Sequence, residues 1–257
     1  MTLRGKLLVL FLFSGATALV YQVVWTRLLT LFFGSTILAV STVLAVFMGG
    51  LAIGSALLGK KADTATEPIR FYGWLELIIG VLAIATPLTF SAIGKLYVLI
   101  HGYMDLSFWE AALIRFGLST LLLLPPTIMM GGTLPVLSKV FLNESGTNTG
   151  RSISTLYFIN TAGAVIGTLA AGIFLLQLLG IQNLLIVGGL INLGIFAFAY
   201  RMPRMQMAQP SGAPSALTGH DSAMNPRWSR NAVLAVLVLF FSGMAALIYE
   251  VAWTRVL

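Results

Sequence analysis

Five ionisable side chains stand inside long apolar runs of this sequence: Arg27, Glu76, Glu110, Arg115 and Arg255. At membrane depth a charge costs about 2.5–3.5 kcal/mol on insertion scales, so each needs a partner, water or an escape to the interface. The arginines can attract an anion, and the glutamates can hold a cation, a proton or a salt bridge. Glu110, five residues before Arg115, is expected to pair with it locally. Glu76 opens its apolar run near Lys60, Lys61 and Arg70, so an interfacial ion pair that anchors the loop is expected.

Two of the arginines belong to a repeated unit. LFLFSGATALVYQVVWTRLL at Leu10–Leu29 returns as VLFFSGMAALIYEVAWTRVL at Val238–Leu257, with 11 of 20 positions identical at an offset of 228. Tyr21, Trp25, Thr26 and Arg27 thus recur as Tyr249, Trp253, Thr254 and Arg255. Tyr21 and Trp25 are four apart and share a helix face. Gln22 becomes Glu250, which adds a carboxylate to the second copy and suits either a salt bridge or a cation site.

Other candidates are structural in type. Asn160 and Thr161 precede Gly163, Gly167 and Ala171, whose four-residue spacing lets a neighbouring helix approach closely, with an interhelical hydrogen bond from the amide. Pro125 and Pro126 are expected to close one apolar run. After Pro135 the chain is expected to kink and continue as a short amphipathic segment through Phe141. There is no cysteine, and His101 and His220 are too scattered for metal ligation, so no catalytic, cofactor or metal residue is expected.

The elements that position these residues follow from composition. With 58% hydrophobic and 9% charged residues and a mean hydropathy of +0.95, the chain is no water-soluble domain. A span needs about 20 mainly apolar residues. Candidates lie near 7–33, 36–58, 71–93, 108–130, 152–179 and 181–200, with a seventh from 231 to the last residue. These runs are continuously apolar rather than alternating, which excludes a membrane β-barrel and predicts an all-α polytopic membrane protein. The first run has no signal-peptidase-like site and reads as a retained span.

Eleven basic residues outside the spans fall on one side: Arg4, Lys6, Lys60, Lys61, Arg70, Lys139, Arg151, Arg201, Arg204, Arg227 and Arg230. Only Lys95 falls on the other. The positive-inside rule then places the N-terminus in the cytoplasm. The net charge of +7 is read as topology, not as nucleic-acid binding. The expected division is a six-helix bundle over 1–201, a polar cytoplasmic linker over 202–229, and the first helix of a second bundle over 230–257. Six spans separate the two copies of the repeat, so both enter the membrane in the same direction. Because Leu257 is the counterpart of Leu29, a fragment of a longer protein is expected.

The strings SGATALVYQVVWTRLL, FGSTILAVSTVLAVFMGGLAIGS, YGWLELIIG, MGGTLPVLSK and LYFINTAGAVIGTLAAG resemble the membrane region of bacterial proteins that fuse a major-facilitator-like domain to a spermidine-synthase-like domain. The resemblance covers most of residues 14–180. It implies an inner-membrane location and a downstream aminopropyltransferase-like domain that binds decarboxylated S-adenosylmethionine and a polyamine, none of it present here. Similarity to the general facilitator signature stops at Gly59, Ala62 and Asp63, since TATEPIR follows them. Gly49, Gly50 and Gly54 lie within a span, where Gly50 and Gly54 fit helix packing and not nucleotide binding.

A major-facilitator arrangement would line a central cavity with the first, fourth and seventh helices. Arg27, Arg115 and Arg255 would then converge as a basic cluster favouring an anionic ligand. The plainer alternative is that Arg27 and Arg255 snorkel to headgroups about 9 Å away. Three functions follow: an anchor and substrate conduit for the synthase-like domain, a secondary transporter of a small polar or anionic solute, or a membrane scaffold. The expected partners are the bilayer, the rest of the second bundle, the synthase-like domain and a small-molecule ligand.

Overall fold

The computed structural model describes residues 2–145, 149–204 and 230–256. All regular structure among them is helical. The elements are α1 (Leu3–Phe33), α2 (Thr36–Thr64), α3 (Pro68–Tyr103), α4 (Phe108–Ser145), α5 (Thr149–Ala170), α6 (Leu176–Arg201) and α7 (Arg230–Val256). A π-helical turn over Ala171–Leu175 joins α5 to α6. Helices α1 to α6 belong to one compact unit, Met1–Met207, and α7 to another, Ala208–Leu257. Most of the expected linker lies outside the described residues.

Five helical stretches are long and apolar enough to cross a membrane, the last running over Gly150–Arg201 for 52 residues. At about 1.5 Å per residue that stretch is more than twice the ~30 Å hydrocarbon core. Gly180 breaks it, with φ +72° and ψ 174°, a backbone region that is essentially glycine's own.

Contact register shows that the chain reverses there. Leu12 and Ala16 of α1 meet Gly163 and Gly167 of α5 in rising order, so α1 and α5 are parallel. Phe11 meets Tyr72 and Ser14 meets Glu76, so α1 and α3 are parallel too. Gly73 and Gly80 of α3 meet Ala199 and Gly189 of α6 in falling order. Helix α6 therefore opposes α1, α3 and α5, and six helices alternate in direction.

The pairing has an internal symmetry. The principal partners are α1 with α5, α2 with α4, α3 with α6, α3 with α4, α1 with α2, α1 with α6 and α4 with α5. Exchanging the triplet α1–α3 with α4–α6 maps each of these pairs onto another or onto itself. Both members of the α1–α5 and α2–α4 couple rely on glycine against backbone. Gly163 and Gly167 face the carbonyls of Leu12 and Ala16, and Gly54 and Gly131 face those of Ile128 and Leu51. Apolar side chains such as Leu88, Trp109 and Leu178 point outward, as lipid contact requires.

Helix α4 differs from expectation. It runs unbroken over 38 residues with Pro125, Pro126 and Pro135 inside it. Proline is tolerated in such helices where the surroundings re-satisfy the backbone; Thr127 and Thr133 donate to the carbonyls of Leu123 and Met130, which are not the ones the prolines leave without a donor. The tail is no surface amphipathic segment, because Val136, Leu137, Val140 and Phe141 are buried in a core cluster with Leu7 and Phe11.

The same tail caps its neighbour. The Lys139 ammonium donates to the carbonyls of Ala62, Asp63 and Ala65 at 2.7, 2.7 and 3.1 Å, which satisfies the C-terminal end of α2 and opposes its dipole. Lys139→Met keeps the apolar stem and removes three acceptor contacts. We expect a loss of about 1–2 kcal/mol, measured as a lower thermal unfolding midpoint together with faster proteolysis at residues 65–67.

Candidate functional site

The most chemically distinctive cluster lies where α1, α3 and α6 meet. Ser14 and Tyr21, seven residues apart, occupy one face of α1. Glu76 projects from α3 and Asn192 from α6, and all four are buried. The Ser14 hydroxyl donates to Glu76 Oε1 at 2.6 Å, and Asn192 Nδ2 donates to Oε2. Tyr21 in turn donates its hydroxyl to Asn192 Oδ1 at 2.6 Å. A single chain of hydrogen bonds therefore ties three helices through one carboxyl group.

Small residues make room for it. Gly188, four before Asn192, faces the Tyr21 ring so closely that a Cβ there would stand 2.7 Å from Cε1. Gly80, four after Glu76, lies against Gly189 and Asn192. The Tyr21 ring stacks on Trp25 with centroids 5.7 Å apart, and Trp25 packs on Phe47 of α2. The aromatic pair of the repeated unit is thus buried packing, with its polar tip spent on Asn192.

Glu76 does not serve the expected interfacial ion pair. It is completely buried, and no described Lys, Arg or His forms an ion pair with it. The loop is held instead by Glu67, which pairs with Arg70 at 3.1 Å and Arg204 at 3.7 Å, while Arg70 also lies 4.7 Å over the Tyr200 ring. Tyr72 faces the same carboxyl from one turn earlier, but its buried hydroxyl has no hydrogen bond of good geometry. Gln22 Oε1 and Trp25 Nε1 are likewise buried and unpartnered.

Arg115 and Glu110 do not pair either. Arg115 Nη1 donates to the Phe33 carbonyl at 3.0 Å, and the guanidinium lies over Tyr97 at 4.5 Å and Phe32 at 5.9 Å. It closes the C-terminal end of α1, where Gly34 at φ +69° ends the helix. Glu110 accepts from the Ser107 amide and hydroxyl at 2.8 and 2.7 Å, which caps the start of α4. Within the first unit the Arg115 guanidinium is held by one carbonyl and two aromatic faces, while its Nε is buried without a hydrogen-bond partner.

Arg27 is exposed and shares one stripe of α1 with Val9, Phe13 and Leu31. Asn160 sets its carbonyl and side-chain oxygen against Gly15, which packs α5 onto α1, but its amide makes no interhelical hydrogen bond among the described residues. Tyr249 and Glu250 are exposed within the second unit, and the side chains of Trp253 and Arg255 lie outside the described residues. No group of three or more metal-binding side chains occurs among the described residues.

Asn192 and Ser14 escaped sequence reading, although a carboxamide inside an apolar run is itself a signal for an interhelical partner. What the cluster can do chemically is limited by its enclosure: it fixes the register of three helices and keeps a carboxyl group away from water. No protein-family model, curated protein or solved structure matches the chain.

Proposed function

We propose that residues 1–201 are the first bundle of a two-bundle, major-facilitator-like membrane domain. In this reading the domain anchors a spermidine-synthase-like aminopropyltransferase and conducts substrate toward it. The observation that carries the two-bundle part is the repeat. Ser14, Gly15, Tyr21 and Trp25, the α1 positions that meet α3, α5, α6 and α2, all return in α7 as Ser242, Gly243, Tyr249 and Trp253. The exchange symmetry of the two triplets supports it further, since facilitator halves are built from inverted three-helix repeats. The positive-inside pattern supports a cytoplasmic basic end, and the resemblance supports a bacterial inner membrane. The transferase part rests on the resemblance alone.

A transport reading is favoured by a different observation: Arg27 is exposed on α1, and it recurs as Arg255. A pair of such arginines would draw a small anionic solute. One preparation separates the readings. Membranes from cells that express the gene at its native length are assayed for aminopropyl transfer from decarboxylated S-adenosylmethionine to a diamine, and vesicles made from them for anion uptake. Transfer activity in the membrane fraction is expected. Uptake that Arg27→Ala abolishes, with no transfer activity, would overturn the anchoring role.

A further inference from the structure

Four basic side chains at the basic end of the bundle are already committed. Lys139 caps α2, Arg4 donates to the Phe141 carbonyl at 3.1 Å, and Arg70 and Arg204 share Glu67. Lys6, Lys60, Lys61, Arg151 and Arg201 make no side-chain hydrogen bond or ion pair to a described residue, and of these Lys6 and Arg201 come together. They come from the first turns of α1 and the last turn of α6, yet both line one cavity of about 370 Å³. The remaining lining among the described residues is Leu3, Phe198, Met202 and Pro203, an apolar wall.

A pair of cations at the rim of an apolar cleft, at the level where helices leave the bilayer, matches a molecule with a phosphate joined to a hydrocarbon tail. We propose that this cleft binds one anionic phospholipid, its phosphate between Lys6 and Arg201 and an acyl chain along Leu3, Phe198 and Met202. Charge complementarity selects the headgroup, because two unneutralised cations disfavour a zwitterion whose ammonium would stand beside them. The lipid joins the free ends of α1 and α6, which have no loop between them.

The purified chain in detergent is titrated with phosphatidylglycerol, phosphatidylcholine or inorganic phosphate, and retention is read by native mass spectrometry. One phosphatidylglycerol per chain is expected to persist, with phosphatidylcholine retained far less and phosphate unable to displace the lipid. Lys6→Ala with Arg201→Ala should weaken phosphatidylglycerol retention about thirtyfold, since each cation contributes a few-fold to tenfold near an anionic headgroup. Lys6→Arg with Arg201→Lys should keep it, and Lys95→Ala, at the opposite end, should leave it unchanged. Equal retention of the two lipids by the unaltered chain would overturn the proposal, whatever the variants do. So would displacement by inorganic phosphate, which would make the cleft a simple anion site.

Discussion

Glu76→Ala is expected to lower the stability of the bundle by about 3 kcal/mol. Two effects add. Ser14 and Asn192 lose their acceptors in a place water does not reach, and a buried donor left unsatisfied costs about 1–3 kcal/mol. The missing carboxyl also leaves a void between α1 and α3. Interhelical hydrogen bonds in bilayers average only about 0.6 kcal/mol, since the separated helices find other partners. Desolvated donors and the void therefore dominate, not the bonds themselves. Glu76→Gln should cost less, but not nothing. Its amide can keep an oxygen toward Asn192 Nδ2 and donate an N–H to the Ser14 hydroxyl oxygen, but the Ser14 proton then loses its acceptor. Unfolding by a denaturing detergent, followed by tryptophan fluorescence, measures both. A double-mutant cycle between Glu76→Ala and Asn192→Leu should show coupling of at least about 1 kcal/mol. Strict additivity would mean that the three-helix chain does not act as a unit.

Gly163→Leu should be about as damaging, by a mechanism without chemistry. A Cβ at Gly163 would run into the Leu12 carbonyl, a backbone atom that cannot swing aside as a side-chain tip can. Relief requires α5 to move off α1 along its whole length, which also opens the Gly167–Ala16 contact and lifts Asn160 from Gly15. We expect about 3 kcal/mol. The control is Gly117→Leu on α4, where nothing stands within 4 Å of the added carbon; its effect should stay within about 1 kcal/mol, near the helix-propensity difference. Cross-linking between cysteines placed elsewhere on α1 and α5 of the otherwise cysteine-free chain would report the separation directly. Equal losses for the two glycines would show that the α1–α5 contact is not close.

The helices were legible because a span announces itself by length and apolarity, properties that need no partner. The four-residue glycine spacing was legible for the same reason, and Gly163 and Gly167 do pack as their spacing suggests. Partners were not. Glu76 looked shallow when its run was taken to open at Phe71. Helix α3 begins at Pro68, and the extended tail of α4 thickens that end of the bundle, so Glu76 lies about 12 Å along its helix and enclosed. Its donors come from 62 residues before and 116 after, distances at which a single sequence carries no pairing signal. Arg115 failed differently. A local carboxylate five residues away was the obvious partner, yet a helix C-terminus with free carbonyls and two aromatic faces offered a better-fitting site. The prolines of α4 misled because their effect depends on packing against neighbours, which tertiary context decides.

Gly180 has a consequence for how the chain is made. A turn completed by one left-handed residue gives α5 and α6 no connecting segment to leave on the far side of the bilayer. Between Arg151 and Arg201 there is no Lys, Arg, Asp or Glu at all. The pair can therefore enter lipid together as a ready-made hairpin, with no charged group to carry across, and its insertion needs neither a translocated domain nor the membrane potential to pull one.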